Sequence, residues 1–293
     1  MQVTKTEWDE RNGVEVRHID DAGAIEHSAG EDLSYVIPFR KDGGLPVRCL
    51  YTPGDSQTLV VAFHGSLQRT KYQLPRFEWR KTLGELDAGR LFFADTTLEL
   101  DGGMPLGWYI GTAAQDLADD VAAVIRQVAA DGNYSRVLLA GSSGGGFAAM
   151  AVARRIPGSV AVSFSPQTRV GDYIPWVHKA FVKAAFPGHE TIDDVEAQYA
   201  ERVNLRRLYA EPEVPNYVRY VQNSNDTGHV TDHYAPFAAS RFVDASTGGV
   251  DASGRIRLVL EAMQQGHQPP SRGRFLGHIR AAHEEFFGEP LGG

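Results

Sequence analysis

The hydrophobic residues of this chain form short continuous runs, and stretches with helical spacing separate these runs. Residues 58–63, 91–94 and 136–140 are predominantly apolar, which is typical of strands covered on both faces. Residues 113–130 repeat leucine, valine and isoleucine at helical spacing, with acidic residues on the opposite side. Further strands are predicted at residues 14–17, 33–39, 47–51, 160–165, 217–222 and 256–260, and further helices after residue 146 and near Pro236. This alternation predicts the α/β class, with a mostly parallel central sheet flanked by helices.

One stretch of the chain, residues 166–215, separates two predicted core strands by more than a crossover connection requires. It is rich in aromatic residues and in amphipathic segments. We interpret it as a small helical lid, inserted into a single domain that spans residues 1–293. The alternative is a surface excursion that has no role in function.

The composition narrows the classes of function. The 293 residues include 29 Lys and Arg and 37 Asp and Glu, which gives a net charge of −8, so binding to nucleic acid or to an anionic membrane is not expected. Cys49 is the only cysteine, which excludes an intrachain disulfide and a cysteine metal cluster. No apolar stretch approaches the length of a bilayer, and the first residues lack the apolar core of a signal peptide. The sequence therefore predicts a soluble, cytoplasmic protein.

The most informative motif lies at residues 141–145, where Gly-Ser-Ser-Gly-Gly matches G-x-S-x-G. It follows the predicted strand at 136–140 and precedes a run of small residues that suits a packed helix. Such a strand–turn–helix lifts a serine hydroxyl above the end of a sheet. A Cβ at Gly141 or Gly145 would crowd the strand or the helix beside it. The motif therefore predicts a nucleophilic serine.

Two serines compete for this position. The two glycines of G-x-S-x-G flank Ser143, which favours it as the nucleophile. Ser142 is the alternative, because small residues also flank it in a tolerated variant of the same turn. Either serine would need a neighbouring base to take its proton.

The order and spacing of four segments resemble the α/β-hydrolase superfamily over residues 33–287. The segments are a strand with a His-Gly turn at 59–66, the elbow at 137–146, a strand and turn at 217–226, and a strand and loop at 256–267. The resemblance implies the α/β-hydrolase fold and a triad in the chain order serine, acid, histidine.

The resemblance assigns the triad to Ser143, Asp226 and His267. His267 follows a core strand in a loop of Gly, Gln and Pro that exposes it, so it would act as the base. Asp226 would orient the imidazole and stabilise the imidazolium. Its surroundings are also an ordinary turn composition. Asp172 is the rival acid, because some members of the superfamily place the acid one strand earlier.

Stabilising an oxyanion requires two preorganised N–H donors. The amide of Gly144, directly after the nucleophile, is expected to supply one of them. The second is expected from the turn after residue 63, with Ser66 as the first choice and Leu67 as the second. His64 in this turn is expected to brace the loop and to take no part in the chemistry.

His229 and His233 are four residues apart, as metal ligands on a helix often are. No third candidate ligand lies at a sequence spacing typical of a metal site, and Gly228 disfavours a long helix here. We therefore expect both histidines to line the pocket or to bind loop backbone, with a metal site as the alternative. The glycine-rich regions match no nucleotide-binding pattern. The sequence thus predicts neither a metal nor a cofactor.

Together these residues predict a serine hydrolase that cleaves an ester of a small acyl substrate through an acyl-enzyme. The preference for esters over amides comes from the superfamily alone. Acyl transfer to a sugar or alcohol acceptor would use the same residues and exclude water. A third possibility is a catalytically inactive binding protein on the same fold, and the complete triad argues against it. The sequence does not indicate the oligomeric state.

Overall fold

The computed structural model of the protein describes residues 3–27, 32–38 and 44–293. Its strands in this part of the chain are β1 (Val3–Asp9), β2 (Val14–Ile19), β3 (Leu33–Ile37), β4 (Val47–Thr52), β5 (Thr58–Phe63), β6 (Gly89–Ala94), β7 (Gly111–Thr112), β8 (Gln115–Asp116), β9 (Arg136–Ser142), β10 (Val160–Phe164), β11 (Tyr217–Asn223), β12 (Gly249–Val250) and β13 (Ile256–Glu261). Eleven of them form one sheet in the order β1-β2-β3-β4-β6-β5-β9-β10-β11-β13-β12, and β7 pairs with β8.

The central strands of the large sheet, from β6 through β5, β9, β10 and β11 to β13, run parallel to one another, and the pairs β4–β6 and β12–β13 at either end are antiparallel. This confirms the predicted α/β class with a mostly parallel sheet. The predicted strand at 33–39 ends at Ile37, and residue 39 lies outside the described residues. The sequence did not indicate β1, because nearly all of its residues are exposed and give no apolar pattern.

Helices cover both faces of the sheet. They are α1 (Arg80–Leu83), α2 (Leu117–Asp131), α3 (Gly144–Ala153), α4 (Pro175–Ala185), α5 (Ile192–Val203), α6 (Leu205–Leu208), α7 (Thr227–His229), α8 (Ala235–Ser240) and α9 (Arg272–Phe287), with 3₁₀ turns at Ala22–Ala24, Thr96–Leu100 and Val170–Asp172 and a π-helical turn at Val230–Tyr234. Along β5, Leu59, Val61 and Phe63 pack into the core that includes α2 and α3, whereas Val60 and Ala62 pack into the core that includes α9. Successive side chains of a strand point to opposite faces, so each apolar run supports two cores.

The predicted helix at 113–130 begins later than expected, at Leu117. The residues before it form the β7–β8 hairpin, and the side chain of Asp116 accepts a hydrogen bond from the amide of Ala118. Asp116 is therefore the N-cap, which ends the hairpin and starts the helix.

Two further segments bear on the site. Residues 166–215 contain α4, α5 and α6, and the action of this segment as a lid stays a prediction. Residues 227–240 are continuously helical in α7, a π turn and α8, so the expectation that Gly228 disfavours a long helix here was wrong. The side chain of Asp226 caps the start of this stretch. Among the described helices, none has both the length and the apolar character needed to cross a membrane.

Candidate active site

Ser143 lies at the turn between β9 and α3, in the centre of the sheet. Its backbone has φ 56° and ψ −124°, an unfavourable conformation for a residue with a side chain. A Cβ on Gly145 would lie 2.5 Å from the carbonyl oxygen of Phe63, and one on Gly141 would collide with the carbonyl of Gly145. The glycines therefore let the turn sit tightly against β5, as the motif predicts.

The structure brings Ser143, His267 and Asp226 together from three separate strand ends. The Oγ of Ser143 lies 2.9 Å from Nε2 of His267, and Nδ1 of His267 lies 2.7 Å from Oδ2 of Asp226. Ser142 is the last residue of β9 and is as buried as Ser143, but the serine in contact with His267 is Ser143. This geometry lets Nε2 of His267 accept the serine proton while Nδ1–H of His267 donates a hydrogen bond to Asp226.

Two asparagines at the end of β11 and just after it hold the loop that carries His267. The side-chain amide of Asn223 donates to the carbonyl oxygens of Gln264, at 2.7 Å, and Gly266, at 3.1 Å. The amide of Asn225 donates to the carbonyl oxygen of Met263 at 2.7 Å. The histidine loop is therefore tied to the same turn that presents Asp226.

Electrostatics at the site favour a charged acid and a neutral base. Burial opposes the charge of Asp226, but hydrogen bonds and attraction from His229 and His267 outweigh it, so the pKa of this carboxyl lies below its ordinary value. Burial and the neighbouring His229 lower the pKa of His267 below 6.5, although Asp226 opposes them. His267 is therefore free to accept a proton at neutral pH.

Asp172, the rival acid, is engaged elsewhere. Its carboxylate pairs with Arg169 at 2.6 Å and with Arg206, next to α5 and α6. These arginines hold the pKa of Asp172 below its ordinary value against the effect of burial. The carboxylate that meets the imidazole of His267 is that of Asp226.

The turn after β5 lies beside Ser143. A Cβ on Gly65 would lie 3.7 Å from the Cβ of Ser143. The amide of Leu67 donates to the carbonyl oxygen of Pro105 at 2.8 Å, so this second-choice oxyanion donor is already used. Ser66 is exposed and Gly144 begins α3. The roles of these two amides as oxyanion donors stay predictions.

His64 is fully buried under the same turn. Its Nδ1 lies 2.8 Å from the carbonyl oxygen of Gly65, and its Nε2 accepts the amide of Asp95 at 3.0 Å. Burial lowers the pKa of His64 to about 4, so the ring is neutral. These contacts suit the bracing function that the sequence predicts.

Sequence reasoning missed Gln167, a fully buried residue that contacts Ser143. Its Nε2 lies 2.9 Å from Oγ of Ser143 and 3.0 Å from Nε2 of His229. Its Oε1 accepts a hydrogen bond from Nε1 of Trp108 at 3.1 Å. A glutamine in a loop after β10 matches no catalytic motif, so nothing in the sequence distinguished it.

His229 and His233 occupy different positions at the site. The ring of His229 stacks on that of His267, with centroids 3.8 Å apart and planes at 11°, and its Nδ1 lies 3.3 Å from Oδ2 of Asp226. His233 accepts the amide of Thr168 at 3.3 Å through Nδ1, and burial lowers its pKa to about 3, with His229 adding to the effect. His229 therefore contacts the predicted triad, whereas His233 binds the backbone amide of Thr168.

Among the described residues, one group could offer ligands to a metal ion. It consists of Asp226, His229 and His267, whose possible ligand atoms lie within 4.8 Å of one another. His233, the second ligand of the predicted alternative, is not in this group. Zinc requires lone pairs that converge on one point. The planes of the stacked rings of His229 and His267 are nearly parallel, so an ion between the rings would lie outside both planes, where the in-plane nitrogen lone pairs do not point. The arrangement suits hydrogen bonding better than metal binding.

No protein-family model matches this sequence, and no curated protein matches it. Solved structures do match the fold. The capsule O-acetyltransferase of Neisseria meningitidis serogroup A is 15% identical, with a TM-score of 0.60 over 85% of this chain and 97% of that one. An S-formylglutathione hydrolase from Agrobacterium tumefaciens is 14% identical, with a TM-score of 0.53 over 90% and 99%. Est1E from Butyrivibrio proteoclasticus is 13% identical, with a TM-score of 0.50 over 87% and 99%. These similarities confirm the α/β-hydrolase fold.

Proposed function

We propose that the protein is a serine hydrolase that cleaves an acyl ester through a covalent acyl-enzyme. The observation that carries this proposal is the continuous path of hydrogen bonds from Ser143 through His267 to Asp226 at the elbow of the sheet. A serine, a base within hydrogen-bond reach and a third group that orients the base define an activated nucleophile.

The first half of the reaction forms the acyl-enzyme. Nε2 of His267 takes the proton of Ser143 as Oγ bonds to the acyl carbon, and the carbonyl oxygen becomes an oxyanion. The amides of Gly144 and Ser66 are the donors proposed for this oxyanion. His267 then gives the proton to the alcohol oxygen as the ester bond breaks.

The second half repeats these steps with water. His267 takes a proton from water, whose oxygen bonds to the acyl carbon, and the bond to Oγ of Ser143 breaks as His267 returns the proton. The acyl group leaves as a carboxylic acid. Throughout, Asp226 keeps the proton of neutral His267 on Nδ1 and stabilises the transient imidazolium.

The pH dependence of ester cleavage tests the assigned base. With p-nitrophenyl acetate as substrate, kcat/KM is expected to rise with pH through a midpoint below 6.5, because the pKa of His267 is lowered and only neutral imidazole accepts the serine proton. His267→Ala should remove this limb and most of the activity. His189→Ala is the matched control, because His189 pairs with Gln198 in the 166–215 segment. An unchanged pH limb in His267→Ala would assign the base to another group.

Acyl transfer is the second candidate, since one structural neighbour is titled an O-acetyltransferase and a variant of it was solved with CoA. The same acyl-enzyme would then react with an alcohol in place of water. We expect hydrolysis of the acyl-enzyme to predominate over transfer to the alcohol. With p-nitrophenyl acetate and a monosaccharide acceptor, released acetate should equal released p-nitrophenol. Mass spectrometry of the products decides, because an acetylated sugar as the main product would establish transfer.

An inactive binding protein remains the third candidate. The hydrogen bonds that join Ser143, His267 and Asp226 argue against it, since a binding function alone does not require them. If the wild-type protein reacted neither with esters nor with a fluorophosphonate, this third candidate would be favoured.

A further inference from the structure

Gln167 holds a fixed orientation against the nucleophile. An indole N–H can only donate a hydrogen bond, so the contact from Trp108 identifies the side-chain atom of Gln167 that faces it as the oxygen. The amide nitrogen therefore faces Ser143 and His229, at 2.9 and 3.0 Å. Trp108 and Gln167 are 1% and 0% exposed, so water does not compete for these bonds.

This orientation also fixes the proton of His229. Because the amide nitrogen of Gln167 donates, Nε2 of His229 must accept, and the proton of the neutral ring lies on Nδ1. That atom lies 3.3 Å from Oδ2 of Asp226, which also accepts the hydrogen bond from Nδ1–H of His267. Hydrogen bonds thus run from His229 through Gln167, Ser143 and His267 to Asp226, and Nδ1 of His229 contacts the same carboxylate at 3.3 Å.

We propose that Gln167 is a further catalytic residue, whose Nε2–H donates to Oγ of Ser143 and stabilises negative charge on that oxygen. The proposal rests on the function proposed above. When the O–H bond of Ser143 breaks, its proton goes to Nε2 of His267 and Oγ bonds to the acyl carbon. When that bond breaks in deacylation, the proton returns from His267. Gln167 transfers no proton in either step.

The contribution to rate comes from the change in charge on Oγ. A hydrogen bond to an ionised acceptor is roughly twice as strong as one between neutral groups. The bond from Gln167 is therefore stronger while Oγ carries developing charge than in the resting hydroxyl. Only such a difference between ground state and transition state accelerates the reaction. His229 is a positioning residue, because its Nε2 accepts the second N–H of Gln167 and holds the amide in place.

The rate of reaction of Ser143 with a fluorophosphonate measures this effect without any assumption about the natural substrate. Gln167→Met keeps the length of the side chain and removes its N–H groups. Loss of one preorganised donor to an oxyanion costs about 10²–10³, and the charge on Oγ is smaller, so we expect a decrease of about tenfold to a hundredfold. The acylation and deacylation rates with p-nitrophenyl acetate should fall together, with KM for the ester little changed.

The outcomes separate the two proposals. If the wild-type protein is not labelled, the proposed serine mechanism fails, and the role of Gln167 fails with it. If the wild-type protein is labelled and folded Gln167→Met reacts at the same rate, the role of Gln167 is overturned.

A matched pair at His229 gives a second test that does not require Gln167→Met to fold. The side-chain oxygen of His229→Gln can accept from Gln167 in place of Nε2, whereas the amide nitrogen of His229→Asn can donate to Asp226 in place of Nδ1. Both variants lose the stacked ring. We expect His229→Gln to be labelled about fivefold or more faster than His229→Asn, the size of effect that one hydrogen bond supports. Equal rates or the reverse order would overturn the proposal.

Discussion

Replacing Ser143 by alanine is expected to abolish covalent labelling by a fluorophosphonate and to lower kcat for an ester by about 10⁶. The variant should stay folded, because only Oγ is lost and alanine can occupy the same elbow position. Labelling is measured by intact-protein mass spectrometry, turnover with p-nitrophenyl acetate, and folding by near-UV circular dichroism.

Ser142→Ala is the matched control for Ser143→Ala. Ser142 ends β9, and its removal leaves the contacts from His267 and Gln167 to Ser143 in place. This control should be labelled at close to the wild-type rate. Full labelling of Ser143→Ala on Ser142 would show that the nucleophile is the neighbouring serine.

Asp226→Asn should reduce kcat by roughly 10⁴, the effect seen when a triad histidine loses its orienting carboxylate. An asparagine that presents its N–H₂ group to Nδ1 of His267 would move the imidazole proton to Nε2. That nitrogen could then no longer accept the proton of Ser143. The loss should appear in kcat more than in KM, and stopped-flow measurement of acylation would locate it in the chemical step.

Asp172→Asn separates the two carboxylates. Asp172 pairs with Arg169 and Arg206, so this change should lower thermal stability and leave kcat close to wild type. If Asp172→Asn instead produced the large loss in kcat and Asp226→Asn changed kcat little, the acid of the triad would be Asp172, which follows β10.

Sequence patterns predicted the positions of Ser143, Asp226 and His267 because each follows a recognisable core strand. Parallel strands bring their carboxyl ends to one edge of a sheet, so the order of strands along the chain was enough to place these residues near one another. The elbow could be recognised from the sequence because its geometry requires glycine at two positions. A Cβ at Gly141 or Gly145 would overlap backbone atoms.

The rest of the site depends on packing between irregular segments. Gln167 reaches Ser143 from a loop, and its orientation depends on Trp108, which has φ 52° in another loop. His229 stacks on His267 because Asp226 caps the helical stretch that carries it, a stretch that the sequence argued against. The hydrophobic periodicity of a sequence does not indicate such contacts between distant loops. The exposed strand β1 escaped prediction for the opposite reason, because it packs too little to leave an apolar pattern.

The hydrogen bonds around Ser143 join residues that are far apart along the chain. The bond from Ser143 to His267 spans 124 positions, and that from Gln167 to His229 spans 62. Contacts of such separation form only after long loops have closed, which is slow and costs chain entropy. An isolated elbow, even with its strand and helix intact, would lack the base. In the proposed mechanism, reactivity of Ser143 therefore requires the part of the sheet from β9 to β13 to be in place, and during refolding it should recover only after these loops have closed.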